Sequence, residues 1–586
     1  MSVRFTTLLV LSLLTAITAA QPTSYCNPIN IDYGYTPFAR FAENGRHRTT
    51  ADPVIVNFRD TLFLFSTNQE GYWYSADMSD WTYVHRKFLR DDKYQHDLNA
   101  PAAWVMQDTL YVYGSTWELD FPIWKSGNPT ANEWEIAVDT LNVGAWDPAF
   151  LYEEEEDKLY LYWGSSNEFP LLGTEITLPE LQTTGITRPI MLLHPQEHGW
   201  ERFGEYNDNV FLPPFTEGAW VTKHDGKYYF QYAAPGTEFS GYADGVLVSS
   251  NPLGGFRYQQ HNPFSYKPGG FARGAGHGST FTDAYDNYWH VSTMVISVKN
   301  NFERRLGIWP AGFDEDGVMY SNTAFGDYPT LLPASAGGKD FTQGLFAGWM
   351  LLNYQKPVQV SSTFGGYHAN YAVDEDIKTY WSARTGDAGE WLQTDLGAVS
   401  SVRAIQINYA DQDVEFLGKT QGNRHQYVIT GSVDGEEWDV VIDKRGNQTD
   451  VPHDYVELPA PVEARYLRIE NVAMPTGKFA ISGLRVFGTA GGERPDTVEN
   501  FVVLRSPLDG ETTRMASWMK WKQNPLADGY NIYFGKAEDK LYGSIMVYGA
   551  NQYYFTGMDK ADAYYFQIEA FNASGISERT QVTRVR

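Results

Sequence analysis

Cysteine is almost absent from this sequence of 586 residues, and Cys26 is the only one. A single thiol excludes any internal disulfide, so the fold must depend on hydrophobic cores. A chain of this length exceeds what one core supports and is expected to divide into domains. Hydrophobic residues supply 42% of the sequence, which is enough for several such cores.

Positive charge is also scarce. Lys and Arg total 45 against 72 Asp and Glu, giving a formal net charge of −27. This imbalance disfavours nucleic acid as a partner, because binding to phosphates requires a basic surface that releases counterions. It disfavours polyanionic substrates for the same electrostatic reason. Neutral glycans remain compatible.

Long hydrophobic runs are missing except at the N-terminus. Residues 6–20 form an apolar stretch after Arg4, too short to span a bilayer comfortably. We interpret residues 1–20 as a signal peptide cleaved before Gln21. No other segment approaches 18 apolar residues, so we expect no membrane span. Secretion without disulfides favours a periplasmic or extracellular protein of bacterial origin.

Aromatic residues are abundant at 15%, and they recur in a repeat between residues 51 and 320. Each of five segments opens with a polar or small residue before apolar ones, then continues through a turn into an aromatic-rich strand. The second strands alternate with period two, which is typical of β-structure. They lie at 62–66, 110–114, 159–163, 228–232 and 288–292.

The repeat predicts a five-bladed β-propeller with four strands in each blade. Its opening residues are Asp52, Ala100, Asp147, Glu217 and His277, which lie 48, 47, 70 and 60 residues apart. First strands line a propeller's central channel, so these five positions should converge at one mouth. Carboxylates that face each other in a closed channel are costly unless they hold protons, metal or substrate.

Two further units follow the predicted propeller of residues 21–340. Residues 344–490 and 498–586 contain short alternating strands, and a Gly- and Pro-containing linker lies between them. Both units are expected to be β-sandwiches. The predicted fold class is therefore all-β throughout.

Three convergent acids suit the hydrolysis of a glycosidic bond. One carboxyl must protonate the leaving oxygen, while another must activate water on the opposite face of the sugar. A third acid can keep the pKa of the proton donor high. Asp-Pro and Glu-Gly are common turn sequences on their own, but three acids in the same register of a repeat favour the catalytic interpretation.

The motifs around these residues resemble glycoside hydrolase family 43 over residues 25–335. They are Ala51-Asp52-Pro53, Trp146-Asp147-Pro148-Ala149, Glu217-Gly218-Ala219-Trp220 and Gly276-His277-Gly278. The resemblance implies an inverting enzyme in which Asp52 is the general base, Asp147 modulates pKa and orientation, and Glu217 is the general acid. It implies no cofactor for the chemistry itself. It also places His277 on the channel axis, where a Ca²⁺ or Na⁺ ion would bind.

The sequence identifies residues that contact the substrate less specifically than it identifies the three acids. Aromatic side chains near strand openings or mouth loops can stack on sugars or fill the core; they are Trp104, Trp117, Trp146, Trp163, Trp220 and Phe239. From these we select Trp104, Trp146 and Trp220 as substrate-binding candidates. Arg273 follows glycines in a loop and is the candidate for bonding sugar hydroxyls, with a solvated loop arginine as the alternative.

The second unit resembles a discoidin, or factor V/VIII type C, domain. The matching segments lie at 372–374, 379–382, 390–397 and 432–438. The resemblance implies carbohydrate binding and a Ca²⁺ site near Asp374. The third unit resembles fibronectin type III, which implies a spacer.

The favoured hypothesis is a secreted exo-acting hydrolase of neutral plant or algal polysaccharides, with α-L-arabinofuranosidase as the preferred activity. A β-xylosidase and a galactan- or galactofuranose-directed enzyme are the alternatives within this class. A non-catalytic carbohydrate-binding protein and a cell-surface adhesion protein are alternatives of other classes. Oligo- or polysaccharide is the expected partner, and we expect a monomer.

Overall fold

A computed structural model describes residues 23–86, 98–117, 121–333, 341–506 and 515–585. The predicted signal peptide, residues 1–20, lies outside these ranges. The described residues form β-strands and contain no α-helix, which confirms the predicted all-β class. Among them no helix is long and apolar enough to cross a membrane. Short 3₁₀ helices occur at Ala39–Phe41, Pro129–Ala131, Gly199–Glu201, Phe341–Gln343 and Ala369–Ala372.

After a short strand β1 (Ser24–Tyr25), five antiparallel blades follow in chain order. Blade 1 consists of β2 (Val54–Phe58), β3 (Thr61–Phe65), β4 (Gly71–Ser75) and β5 (Thr82–His85). Blade 2 consists of β6 (Asn99–Met106), β7 (Thr109–Ser115), β8 (Ile123–Asn128) and β9 (Glu133–Val138). Blade 3 consists of β10 (Ala149–Glu153), β11 (Lys158–Trp163), β12 (Leu171–Thr177), β13 (Gln182–Thr183) and β14 (Arg188–Met191).

Blade 4 consists of β15 (Glu217–His224), β16 (Lys227–Ala234), β17 (Ala243–Ser249) and β18 (Arg257–Tyr258). Blade 5 consists of β19 (Arg273–Thr282), β20 (Tyr288–Val295), β21 (Arg304–Phe313) and β22 (Met319–Ser321). The first strands β2, β6, β10, β15 and β19 contact one another in that order, and β19 contacts β2. These contacts close the ring. Strand β1 then pairs with β23 (Thr330–Leu331), which joins the two ends of the propeller.

The opening residue of each blade has an unusual backbone. Asp52, Ala100, Asp147 and His277 have φ values of 53°, 38°, 50° and 49°, and in blade 4 the left-handed residue is Gly218 with φ of 70°. A left-handed conformation costs a non-glycine residue roughly 1–2 kcal/mol. Such strain persists where surrounding contacts impose it, and it clusters at functional sites. The repeat therefore extends to backbone conformation.

Hydroxyl groups of preceding blades hold these strained residues. The backbone N–H of Asp52 donates to Thr293 Oγ1 at 3.0 Å, that of Ala100 to Thr67 Oγ1 at 2.8 Å, and that of Asp147 to Ser115 Oγ at 2.9 Å. Each hydroxyl lies near or just beyond the end of its blade's second strand. Because the bond from Asp52 to Thr293 joins blade 1 to blade 5, the series continues across the point of ring closure.

Strands β24–β31 form one sheet of the second unit, ordered β24-β31-β27-β30-β28-β29 with β25 and β26 at its margins. Their bounds are β24 (Met350–Leu351), β25 (Val358–Val360), β26 (Trp381–Ser382), β27 (Trp391–Tyr409), β28 (Gln426–Ser432), β29 (Asp439–Asp443), β30 (His453–Ala473) and β31 (Ala480–Ala490). The long strands β27 and β30 contribute side chains to one core, which contains Trp381, Leu392 and Ile469.

The third unit has two sheets packed face to face. Its strands are β32 (Val502–Ser506), β33 (Ala516–Lys520), β34 (Gly529–Gly535), β35 (Gly543–Tyr548), β36 (Gln552–Phe555), β37 (Tyr564–Asn572), β38 (Gly575–Ile576) and β39 (Thr583–Val585). One sheet has the order β32-β33-β36, and the other has β35-β34-β37-β38 with β39 beside β37. The resemblance to fibronectin type III stays a prediction.

Buried ion pairs hold the second unit against the propeller. Arg48 lies 2.6 Å from Asp411 and 2.9 Å from Asp450, and all three side chains are buried. Within the second unit Arg485 pairs with Glu375 at 2.9 Å, and from there it donates to the Asp327 carbonyl of the propeller. Breaking one such pair leaves a buried charge uncompensated, at a cost of about 3–5 kcal/mol. The described contacts therefore make the second unit a fixed neighbour of the propeller.

Candidate active site

The mouth of the propeller brings together the four polar residues that open blades 1, 3, 4 and 5. His277 Nδ1 lies 3.2 Å from Asp52 Oδ1 and 4.0 Å from Asp147 Oδ2. Asp147, Glu217 and His277 each place one side-chain atom that can ligate a metal, a carboxylate oxygen or an imidazole nitrogen, within 4.8 Å of the other two. Ala100 occupies the same register in blade 2 and contributes no charged side chain there.

Asp52 is surrounded by groups that favour its ionised form. Thr67 Oγ1 donates to Asp52 Oδ2 at 2.5 Å, and Arg304 Nη1 lies 3.7 Å from Asp52 Oδ1. Burial raises the pKa of this carboxyl, but His277, Arg304 and the hydrogen bond from Thr67 outweigh burial and lower the pKa below its ordinary value. An ionised carboxylate of this kind can accept a proton from water.

Asp147 and Glu217 are shifted in the opposite direction. Burial raises the pKa of Asp147 to about 8, the charges of Glu217 and Asp52 add to the rise, and His277 opposes it. Burial also raises the pKa of Glu217, with Asp52 adding to the rise, while His277 and a hydrogen bond from Tyr242 oppose it. Interacting acids titrate as a pair, so we expect the pair to retain a proton near neutral pH.

The carboxyl of Glu217 is held by its neighbours. Tyr242 donates its hydroxyl to Glu217 Oε1 at 2.6 Å, and Ser165 Oγ lies 3.4 Å from Oε2. The Tyr242 ring packs closely over Gly276, where a Cβ atom would come within 2.7 Å of the ring. Glycine at 276 therefore allows the ring to reach Glu217.

His277 is held by a buried carboxylate behind the mouth. The backbone N–H groups of His277 and Gly278 donate to Asp244 Oδ1 and Oδ2 at 2.7 and 3.0 Å. Asp244 Oδ2 is also 2.9 Å from His290 Nε2. Burial lowers the pKa of His277, but four acids outweigh it and raise the pKa above the ordinary value; they are Asp52, Asp147, Glu217 and Asp244.

Sequence reasoning missed several members of this site. Arg304 and Tyr242 contact the acids directly, while Thr67 bonds both Asp52 and the next blade. A signal for the hydroxyls existed: a Ser or Thr lies near or just beyond the end of the second strand in four of the five blades, at Thr67, Ser115, Ser165 and Thr293. A signal for Arg304 was its place, with Arg305, at the start of a strand that is apolar from Leu306 onward.

The predicted sugar contact of Trp104 is wrong. Its ring is 3% exposed and is stacked between Phe150, at a centroid distance of 4.0 Å, and Tyr111, at 5.2 Å. Both faces are therefore used for packing between blades 2 and 3. Trp220 is half-buried, and its indole N–H donates to the Thr280 carbonyl of blade 5 at 3.2 Å.

Trp146 remains a candidate for sugar contact because of where it lies. It directly precedes Asp147, is half-buried, and faces Trp117 at a centroid distance of 5.2 Å. Trp117 is 62% exposed. The two indoles form an aromatic edge next to one of the acids.

The structure does not bring Arg273 to the acids. Its guanidinium lies 3.6 Å from Asp376 of the second unit. The arginine beside the carboxylates is Arg304 instead. The glycine-rich loop of residues 269–276 signalled a close backbone approach, and one occurs at Gly269, where a Cβ atom would overlap the Met546 carbonyl oxygen.

Replacement of Tyr242 by Phe tests whether its hydroxyl tunes Glu217. The hydrogen bond lowers the pKa of Glu217, so its loss should move the alkaline limb of kcat/KM to higher pH. We expect the activity at the optimum to fall by about tenfold, because one charge-assisted bond no longer positions the carboxyl. The pH profiles of the two proteins measure both effects. An unchanged alkaline limb would assign Tyr242 a packing role only.

The mouth of this closed propeller holds one acid with a lowered pKa and two with raised pKa values. These are the groups that a glycoside hydrolase needs as general base and general acid. Residues 47–319 match the family model described as "Glycosyl hydrolases family 43", and residues 357–482 match that of the "F5/8 type C domain". The chain is a glycoside hydrolase that carries a family 43 domain followed by an F5/8 type C domain.

Solved structures to which the chain is similar include a protein described as "Glycoside hydrolase", with 17% identity and a TM-score of 0.46, over 75% of this chain and 97% of that one. A xylan β-1,4-xylosidase from Bacillus halodurans C-125 has 14% identity and a TM-score of 0.40, over 96% of each chain. An α-L-arabinanase from Cellvibrio cellulosa has 16% identity and a TM-score of 0.36, over 47% and 96%. A search of curated proteins found no match.

Proposed function

We propose that this protein is a secreted or periplasmic, inverting exo-glycosidase of neutral polysaccharides. The observation that carries the proposal is that three acids converge at one mouth, in surroundings that shift their pKa values in opposite directions. Asp52 has a lowered pKa, whereas Asp147 and Glu217 have raised ones. Hydrolysis with inversion needs one ionised and one protonated carboxyl at the same pH.

In this proposal Asp52 removes a proton from the attacking water, and Glu217 donates one to the leaving oxygen. Asp147 acts on Glu217 through its charge and shares the proton of the pair. Arg304 and Thr67 keep Asp52 ionised and fixed in position. Tyr242 orients Glu217.

The substrate class rests on charge and on the family. A net charge of −27 favours an uncharged glycan over an acidic one. Within that class we propose an α-L-arabinofuranosidase, with β-xylosidase and galactan- or galactofuranose-directed activity as the other outcomes of the test. The F5/8 type C domain would bind the same polysaccharide and keep the enzyme near it.

A screen on nitrophenyl pentosides and hexosides identifies the sugar, and NMR of the first-formed anomer identifies the stereochemistry. Inverted product from an arabinofuranoside is the expected result. Retention of configuration would contradict the roles assigned to Asp52 and Glu217. Equal inertness of wild type and Glu217→Gln across the whole panel would favour a carbohydrate-binding protein.

Two cation sites form part of the proposal. At the mouth, His277 Nδ1 is buried, makes no hydrogen bond among the described residues, and lies near carboxylate oxygens of Asp52 and Asp147. A Ca²⁺ or Na⁺ ion there would offset the negative charge of the acids. In the second unit, Asp374 accepts bonds from Thr379 and the Asp376 N–H, and burial raises its pKa to about 6.

Calcium titration distinguishes these two sites. We expect calorimetry to report Ca²⁺ binding that Asp374→Ala removes in part and His277→Ala in part, since the residues lie in different units. Bound Ca²⁺ needs ionised oxygen ligands, so affinity at Asp374 should weaken as pH falls through about 6. If both single variants bound Ca²⁺ like wild type, neither site would stand.

A further inference from the structure

A cavity of about 390 Å³ lies between blade 3 and the segment that leads into blade 4, and its lining reaches Thr216. Its lining includes Ser166 and Thr216, whose backbones pair in an isolated antiparallel β-bridge. Ser166 follows Ser165, whose hydroxyl contacts Glu217, and Thr216 directly precedes Glu217. The cavity therefore reaches, on both segments, the residue next to one that carries or contacts the proton-donor carboxyl. Its volume lies in the range of small-molecule sites.

Large apolar side chains are exposed around this cavity. Phe211 is 92% exposed, Phe169 is 68% exposed and Leu212 is 53% exposed, and all three line it. Single exposed hydrophobic residues are ordinary, but several gathered around one concave site mark a binding surface. Both phenylalanine rings line the cavity and are largely exposed, so each can present a face to a sugar ring.

Fixed turns carry the two rings. Asn209 Oδ1 accepts the backbone N–H groups of Phe211 and Leu212, both at 3.0 Å. Ser166 Oγ accepts the N–H groups of Glu168 and Phe169 at 2.9 and 3.0 Å. These local bonds define the backbone from which each ring projects.

Polar groups accompany the aromatic ones. The side chains that line the same cavity and can bond hydroxyl groups are Asn167, Glu168, Gln196 and Asn209. Amides donate to and accept from sugar hydroxyls, and carboxylates accept from them. Aromatic faces with interspersed amides suit a glycan better than a purely apolar ligand.

The third unit supports one wall of this cavity. The Gly199 N–H donates to the Met558 carbonyl at 3.1 Å, and the Lys560 N–H donates to the Glu197 carbonyl at 2.8 Å. His198 Nδ1 lies 3.2 Å from Asp559 Oδ1. A Cβ at position 199 would come within 2.5 Å of the Met558 carbonyl, so this approach requires glycine. The C-terminal unit thus fixes residues 197–199, which lie in the chain between Gln196 and Arg202 of the cavity lining.

We propose that this cavity binds the sugar units on the leaving-group side of the scissile bond, with Phe169 and Phe211 as stacking surfaces. The inference rests on the proposed function, in which Glu217 protonates the leaving oxygen. Since the cavity lining reaches Thr216, next to Glu217 in the chain, we place in it the sugar chain that departs from that oxygen. The substrate is then an oligo- or polysaccharide, and the C-terminal unit serves to hold its binding wall.

Phe211→Ala and Phe169→Ala test the inference on paired substrates. In a glycosyl fluoride the leaving group is a single atom, which cannot reach either ring, whereas an oligosaccharide extends into the cavity. The pairs are α-L-arabinofuranosyl fluoride with arabinan oligosaccharides, and β-D-xylosyl fluoride with xylo-oligosaccharides. Each variant should lose about five- to tenfold in kcat/KM on the oligosaccharide and less than about twofold on the fluoride.

Leu504→Ala is the matched control, because Leu504 is 61% exposed on the third unit and lies outside the cavity lining. It should change neither substrate. If wild type cleaves the oligosaccharide but both Phe variants match it, or lose equally on fluoride and oligosaccharide, the cavity is not a leaving-group site and the proposed function stands. If the nitrophenyl panel identifies a galactoside, the galactosyl fluoride and the corresponding galacto-oligosaccharides form the pair. If wild type cleaves no pair of any of these sugars, the proposed function fails and the inference fails with it.

Discussion

Asp52→Asn is expected to lose about 10³-fold or more in kcat on every substrate, whatever its leaving group. The amide matches the carboxylate in size and can still accept the hydrogen bond from Thr67, but it cannot take a proton from water. General-base catalysis contributes about 10²–10⁴-fold, and the Asp52 carboxylate lies beside Arg304 and His277, which keep it ionised. Steady-state kinetics on an activated aryl glycoside and on an oligosaccharide should show the same loss.

The matched control is Asp60→Asn in the same blade. Asp60 lies in the exposed turn between β2 and β3 with φ of 58°, a conformation that asparagine tolerates. It should retain wild-type kinetics. A thermal melt of Asp52→Asn close to that of wild type would attribute the loss to chemistry. Residual activity above a tenth of wild type would show that another group activates the water.

The propeller could be predicted because the same order of opening residue, turn and aromatic-rich strand recurs five times in the sequence. The five opening residues share a register, and the structure gives four of them the same left-handed backbone, with glycine next to the fifth. Period-two alternation fixes which side chains face the channel. Asp52, Asp147, Glu217 and His277 could therefore be placed at one mouth from spacing alone.

Contacts between distant segments could not be predicted in the same way. Arg304 reaches Asp52 from the start of the third strand of blade 5, and Tyr242 reaches Glu217 from the residue before the third strand of blade 4. Neither strand lines the channel, so no register argument applied to them. The predicted sugar contacts of Arg273 and Trp104 depended on similar long-range packing. Arg273 pairs with Asp376 of the second unit, and Trp104 stacks on Phe150 of the next blade, so neither side chain is directed at the acids.

Glu217→Gln is expected to lower kcat/KM by an amount that depends on the leaving group of the substrate. Methyl or other alkyl glycosides need a proton on the departing oxygen, so they should lose about 10²–10⁴-fold in kcat/KM. Dinitrophenyl glycosides depart without much protonation and should lose less than about tenfold. Glu155→Gln, in an exposed turn of blade 3, is the control that should change neither. Equal losses on both substrates would show that Glu217 is not the acid.

The pH profile of the same variant gives a second test, because the two limbs arise from groups shifted in opposite directions. Wild-type activity should fall at low pH only as Asp52, whose pKa is lowered, becomes protonated. It should fall at high pH as the pair of Asp147 and Glu217, whose pKa values are raised, loses its proton. In Glu217→Gln the donor no longer titrates, and one of the two negative charges that add to the effect of burial on the pKa of Asp147 is gone. The alkaline limb on dinitrophenyl glycosides should therefore flatten, while the acid limb set by Asp52 should remain.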